Sequence, residues 1–254
     1  MLLPCRMTDK VSAVRALFQG GRYLSSRALI QIRVELVQEL IGPLADQRIL
    51  DLGCGDGSLS LQYAVNNEIT LVDISSTMLD SARRNIPRDR LEHVRLENMA
   101  VEDFATDVGY DLVLCVGLLA HVRSVESTVK HVASLLRPGG RCIFQITDSD
   151  RWMGRALGDY FALRMSIHDR VGYKLNRLGH RELERFASAH GLRQLQERRT
   201  WSILPGMRVL PEATLLRYLR TTSKSDTLQR FAPEALLLFG QSEDTDQTRQ
   251  TTGV

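Results

Sequence analysis

Three glycines alternate with other residues in Ile49-Leu-Asp-Leu-Gly-Cys-Gly-Asp-Gly-Ser58, where an apolar run carrying Asp51 leads into a turn holding Gly53, Gly55 and Gly57. Glycine at such places lets the backbone turn sharply and lets a ligand approach with no Cβ in the way. A second acid, Asp73, closes the next apolar run 22 residues after Asp51. From that position a carboxylate can accept both hydroxyls of a ribose. A helix expected over Ser58–Val65 would offer free N–H groups to an anionic part of the ligand. Together these features predict a site for a nucleoside-containing cofactor. A dinucleotide fingerprint would need G-x-G-x-x-G, but the sixth position counted from Gly53 is Ser58, so a nicotinamide oxidoreductase is disfavoured.

Other groups could do chemistry beside that turn. His121 follows an apolar strand-like run at the edge where such folds bind ligands. An imidazole with an ordinary pKa of about 6.5 suits a general base for a hydroxyl or amine, although the ring could equally pack against a cofactor or cap the next helix. Asp148 and Asp150 follow a later strand at the same edge, as base, substrate partner or turn residues. Tyr23, Tyr160, Tyr173 and His168 are candidates for a cover over the site. Cys5, Cys54, Cys115 and Cys142 form no CxxC pair and no zinc spacing; they read as free thiols, Cys54 and Cys115 as small buried hydrophobes.

The elements that must position these groups alternate along the chain. A helix is predicted over 25–42, capped by Ser25 or Ser26 and stopped by Gly42-Pro43. Its apolar stripe is interrupted by Arg33. Strands are predicted over Arg48–Leu52, Glu68–Val72, His93–Glu97, Tyr110–Val116 and Arg141–Ile146, with helices over Ser75–Arg84 and Val125–Leu136. Further on come helices over Arg151–Met165 and Arg181–Ala189 and strands over Leu192–Ile203 and Ala235–Phe239. Repeated βα units imply a doubly wound, mostly parallel sheet with helices on both faces. The reading is one domain over 1–240, with N-terminal helices in 11–42, a helical insertion over 148–180 and a disordered polar tail over 241–254.

The segment Asp51 to Gly57 matches D/E-x-G-x-G-x-G, and here the chain resembles the class I S-adenosylmethionine-dependent methyltransferases. Further landmarks recur in order: Asp73, then Val101-Glu-Asp-Phe104, then Tyr110-Asp-Leu-Val-Leu114 with Leu119-Ala-His-Val122, then Leu135-Leu-Arg-Pro-Gly-Gly140. Within the family the likeness is closest to the ubiquinone-pathway O-methyltransferases, which also carry an arginine at the place of Arg33 and an insertion after the fifth strand. The resemblance implies a Rossmann-like seven-stranded α/β fold and S-adenosyl-L-methionine as cofactor, with S-adenosyl-L-homocysteine as product. It implies that the backbone at Gly53 and Gly55 contacts the methionyl part, that Cys54 and Gly57 also belong to the cofactor site, and that Asp51 orients the turn or reaches the amino group. Asp73 would hold the ribose with Ile74 and Met78 beside it. Met99, Ala100 and Val101 would border the adenine, Val116 and Leu118 would lie beneath, and Arg33 would face the cofactor carboxylate. Those relatives read Glu-His-Val where this chain reads Ala120-His121-Val122, so no metal is expected. His121 and Asp148 are the catalytic candidates.

Composition bounds the partners. The 254 residues carry 33 basic and 30 acidic side chains, net +3, too mild for a clustered nucleic-acid face. No run reaches the roughly 18 apolar residues of a membrane span, and a cytoplasmic protein is expected. The stripe of Trp152, Leu157, Tyr160 and Phe161 flanked by arginines could lie on a membrane surface through 151–165, or cover a pocket. An RNA methyltransferase is an alternative, but the Asn/Asp-Pro-Pro-aromatic box is replaced by Cys115-Val-Gly-Leu-Leu119. A non-catalytic cofactor-binding protein is another. The preferred expectation is methyl transfer to an oxygen or nitrogen of a small apolar or aromatic molecule, with Phe18, Tyr23, Trp152, Tyr160, Phe161 and Trp201 as candidate walls.

Overall fold

Apolar runs too short for buried helices, each ended by an acid, glycine or polar turn, build the centre of the molecule. The computed structural model describes residues 10–19, 26–164, 173–204 and 206–241. Cys5, Tyr23, Ser25, His168 and residues 242–254 of the expected tail lie outside them.

The strands are β1 (Arg48–Leu52), β2 (Glu68–Asp73), β3 (Val94–Asn98), β4 (Tyr110–Cys115), β5 (Leu136–Thr147), β6 (Leu192–Thr200) and β7 (Glu234–Gln241). They form one sheet in the order β3-β2-β1-β4-β5-β7-β6. The first five run parallel, and β7 is inserted antiparallel between β5 and β6. Every residue of β4 is buried and so are the last four of β1, as expected of parallel strands covered on both faces. Pro138, Gly139 and Gly140 fall inside β5, where the pairing with β4 shifts register, so that strand starts five residues earlier than expected.

Among the described residues the helices are α1 (Lys10–Gln19), α2 (Arg27–Ile41), α3 (Ser76–Asn85), α4 (Val125–Leu135), α5 (Trp152–Arg164), α6 (His180–Ala189), α7 (Glu212–Lys224) and α8 (Asp226–Gln229). One face of the sheet buries Ile49, Leu114 and Ile143 against α2 and α7; the other buries Val113, Phe144 and Phe239 against α4 and α6. Ser75 caps α3 by accepting from the Met78 amide at 3.3 Å, and Ser124 caps α4 by accepting from Ser127 at 3.2 Å.

Three local expectations change. No α-helix follows β1. Residues 58–65 make turns and a 3-10 helix at Leu61–Tyr63, because the Asn67 amide takes the Leu44 and Tyr63 carbonyls and returns the chain to β2. Ser26 does not cap α2 with its side chain. Glu212, at the start of α7, accepts from the Ala28 amide at 2.7 Å and from Ser26 Oγ at 3.0 Å, placing a carboxylate at the positive end of α2. The third change is an addition, since no element was expected where α7 lies. Its stripe of Leu215, Leu219 and Thr222 is buried, at the spacing of one helical face.

Candidate functional site

The carboxyl ends of the parallel strands open into a cavity of ≈ 1210 Å³, at the edge where open α/β sheets bind ligands. Its floor is the glycine turn. The amides of Gly53 and Cys54 both donate to the Val72 carbonyl, at 2.8 and 3.1 Å, pinning the turn to β2. The Gly55 amide donates to Asp73 Oδ2 at 2.9 Å, and the Ser75 amide to Asp73 Oδ1 at 2.8 Å. Asp73 therefore tightens the turn while lining the cavity, and Ser75 rather than Asp73 caps the next helix. Gly55 has φ +56, and a Cβ built on it meets no heavy atom within 4 Å. The backbone here opens directly into the cavity.

The first acid is more strained electrostatically. Asp51 is buried and accepts from Ser60 Oγ at 2.7 Å. Burial pushes its carboxyl up to about 7 against that hydrogen bond, and the charges of Asp73 and Asp56 add to the rise. A cationic group on a bound ligand would reverse this. Burial likewise pushes the Cys54 thiol well up, with Asp51 and Asp73 adding to it, so it is an inert part of the floor.

Most of the expected cofactor residues meet here. Arg33, Asp51, Gly53, Cys54, Gly55, Asp73, Ile74, Met78, Ala100, Val101, Val116 and Leu118 line the cavity, as does His121. Three expected residues do not. Gly57 is needed for packing instead: at φ +74, its Cβ would stand 2.7 Å from Leu61. Met99 packs against the apolar cluster on the α4 face of the sheet. Asp148 is 1% exposed and faces into the protein. Its Oδ2 accepts from Arg199 at 2.9 Å and its Oδ1 accepts the amides of Asp150 and His180, both at 3.1 Å. Burial opposes its ionisation, but the His180 amide and the Arg199 guanidinium outweigh that and hold the carboxyl below the usual range. Asp148 anchors the insertion and is not a base for the cavity.

The loop after β4 is held by Asn176, which donates from its amide to Ala120 O at 2.9 Å and from Nδ2 to Leu119 O and Val122 O at 3.0 and 2.7 Å. Lys10 Nζ on α1 donates to Asn176 Oδ1 at 2.8 Å. Within that loop His121 Nδ1 lies 2.7 Å from Tyr173 Oη, and Phe18 meets the imidazole edge-on at 5.2 Å between centroids. Burial lowers the imidazole to about pKa 4, with the charge of Lys10 adding to the fall. Sequence reading named His121 and Tyr173, but the partner Lys10 carried no signal.

The expected aromatic wall is mostly aliphatic. Phe18 lines the cavity with Val11, Val14, Leu17, Leu29 and Ile203, whereas Trp152, Tyr160 and Trp201 do not. Trp201 donates to Leu228 O at 3.0 Å, and Trp152 is 59% exposed. The residues of α5 that reach the cavity are the small Gly154, Gly158 and Ala162, together with Arg155. Among the described residues no helix is long and apolar enough to cross a membrane.

The chain resembles known proteins over this region. Residues 50–142 match the family described as a methyltransferase domain. The ubiquinone biosynthesis O-methyltransferase of Bordetella avium is 31% identical over 164 residues, 62% of this chain and 68% of that protein. Its counterpart in Bordetella bronchiseptica is 35% identical over 141 residues, 54% of this chain and 58% of that one. In overall fold the chain is similar to magnesium protoporphyrin IX methyltransferase from Synechocystis with bound SAH (TM-score 0.63, 17% identity, 92% of this chain and all of that one). It is also similar to the N-methyltransferase NodS from Bradyrhizobium japonicum in complex with S-adenosyl-L-homocysteine (TM-score 0.61, 14% identity, 93% of this chain and all of that one).

Proposed function

The chain belongs to the class I S-adenosylmethionine-dependent methyltransferases, and we propose that it methylates an oxygen or nitrogen of a small apolar acceptor, aromatic ones included. The observation that carries this is the cavity. At ≈ 1210 Å³ it exceeds the roughly 300–1,000 Å³ of an ordinary single-ligand pocket, and it runs from a nucleoside-type floor into walls where aliphatic side chains of α1 and α2 stand with His121 and a few polar groups, Arg155, Gln145 and Glu234 among them. Its walls include α1 and α5, which suits a small molecule better than a polymer.

The residues present fit the cofactor. Asp73 would take the ribose hydroxyls, Ile74, Met78, Ala100 and Val101 would border the base, and Arg33 would take the carboxylate. The open space over Gly55 would receive the methionyl part. The cofactor supplies a methyl group already activated on a sulfonium. The protein's part is to orient the two reactants and exclude water, worth about 7–11 kcal/mol when geometry is good, and to accept a proton at His121 where the acceptor is a hydroxyl. The curated relatives, named as O-methyltransferases, support a hydroxyl. The test is a turnover screen of aromatic and aliphatic hydroxyls and amines, read as S-adenosylhomocysteine formed. Turnover of an apolar hydroxyl or amine is expected; turnover confined to RNA would contradict the reading.

Asp51 makes cofactor binding pH-dependent. Its carboxyl is raised to about 7 in the free protein, and a cationic ligand favours the ionised form, so binding below that pH must expel a proton. Affinity for S-adenosylhomocysteine is expected to strengthen as pH rises from 6 to 7.5, by up to about tenfold per pH unit on the acid side. Calorimetry in buffers of different ionisation enthalpy should show proton release at pH 6.5 that disappears in Asp51→Asn. A flat pH dependence would contradict the role.

A further inference from the structure

One corner of the cavity, beside Arg33, holds two buried polar side chains that have no role in the reading above. We infer that Gln145 and Glu234 form a recognition site for a hydrogen-bond-donating group, a hydroxyl or an amine, carried by the acceptor. This rests on the methyltransferase reading and specifies its substrate further.

Gln145 lies on β5 and Glu234 opens β7, where it pairs with Thr147. Both line the cavity, and both are more than nine-tenths buried. Gln145 Nε2 donates to Glu234 Oε2 at 2.6 Å, Thr147 Oγ1 donates to Glu234 Oε1 at 3.3 Å, and the Arg33 guanidinium stands 3.9 Å from Glu234 Oε2. The amide can sit only one way round, since a carboxylate accepts and its neighbour must donate. That orientation leaves Gln145 Oε1, which is buried and has no hydrogen-bond partner. A buried amide oxygen without a donor is uncommon in folded proteins and calls for a reason. Beside it stands a carboxylate, another acceptor. What completes such a pair must donate.

The pair lies away from the ribose and beside Arg33, and with Asp51 already facing the cofactor's cationic group it is left to the acceptor. Asp73 ends β2, and β5 lies three strand positions along the sheet, about 14 Å at ordinary strand spacing; β7 lies one further. A pair so far from the ribose-holding carboxylate faces the half of the cavity that the nucleoside does not fill. Arg33 offsets the charge of Glu234, so a neutral hydroxyl suffices to complete the pair. In the sequence the signal was present: Gln145 is the one amide in Cys142-Ile-Phe-Gln-Ile-Thr147, and Glu234 precedes Ala235-Leu-Leu-Leu-Phe239.

The test uses the full chain saturated with S-adenosylhomocysteine and titrated by ligand-observed NMR with phenol, benzylamine, anisole and benzoate. Phenol or benzylamine should bind at least about tenfold tighter than anisole and benzoate; whichever of the two binds tighter tells hydroxyl from amine. Gln145→Leu should erase that preference with the affinity for S-adenosylhomocysteine kept. Should Gln145→Leu fail to fold, the isosteric Glu234→Gln carries the same test. Equal binding of anisole, or no binding by any of the four, overturns the inference. So does a variant that weakens S-adenosylhomocysteine and leaves 5′-methylthioadenosine unchanged, which would give the pair to the amino-acid end of the cofactor. Failure of the wild type to bind S-adenosylhomocysteine is a separate result, against the methyltransferase reading itself.

Discussion

Asp148→Ala should lower stability by about 3–5 kcal/mol, the usual cost of removing one partner from a buried ion pair. At about 2–4 °C per kcal/mol for a domain near this size, the melting temperature should drop by about 6–20 °C. Arg199 is as buried as its partner and would keep only Glu197 at 3.3 Å and the His180 ring at 3.2 Å. The amides of Asp150 and of His180 at the start of α6 would lose their acceptor, and Arg151, just before α5, would lose its ion pair at 3.4 Å. Arg199→Met combined with Asp148→Ala should recover much of the loss, since the uncompensated charge goes with it. The folded-state carboxyl is held below its unfolded value, so its contribution is present above pH of about 4 and lost as the pH falls below it. Thermal unfolding of the three variants checks this. A catalytic Asp148 would instead lower turnover with melting unchanged.

His121→Ala should lower kcat by about 10²-fold, the lower end of what a general base supplies, with the affinity for S-adenosylhomocysteine within about twofold. The lower end is expected because the imidazole titrates at about 4, which keeps it neutral through the physiological range and also makes it a weak base. In the tautomer whose Nδ1–H donates to Tyr173, Nε2 carries the lone pair that accepts a proton. Wild-type kcat should therefore show no histidine limb between pH 5.5 and 8 and should fall only nearer the imidazole's own pKa. The sign for stability is fixed in the same way. The unfolded ring binds its proton at about 6.5 and the folded one does not until about 4, so stability declines as pH falls between those values. Undiminished turnover in the variant would remove His121 from the mechanism.

What could be read from the sequence was what neighbouring residues decide. The turn from Gly53 to Gly55, Asp73 and the residues just beyond it, and Ala100 with Val101 all reach the cavity from positions fixed by strand ends. Arg33 was legible because a charge interrupted an apolar stripe. The misreadings turn on partners distant in the chain. Asp148 looked like an edge carboxylate until Arg199, 51 residues on, occupied it. The stripe of Trp152 and Tyr160 suggested a pocket wall, yet α5 offers the cavity Gly154, Arg155, Gly158 and Ala162 instead. The cap of α2 comes from Glu212, 184 residues beyond the amide it accepts. Where a helix was expected after β1, Asn67 bonds the Tyr63 carbonyl and ties the turn to Leu44 ahead of β1, a partner 23 residues back.

The central claim is tested most directly by the thermal shift that S-adenosylmethionine, S-adenosylhomocysteine and NAD each produce, measured on the wild type and on Asp73→Ala. At about 100 Kd a ligand stabilises by about 2.7 kcal/mol, or about 5–10 °C here. Asp73→Ala also frees the amides of Gly55 and Ser75, so its own melting point will fall, and Asp73→Asn serves as the milder control. The account predicts a shift with both adenosyl ligands, none with NAD, and its loss in Asp73→Ala. A folded wild type that shifts with neither adenosyl ligand, or a shift that survives Asp73→Ala in full, would contradict it.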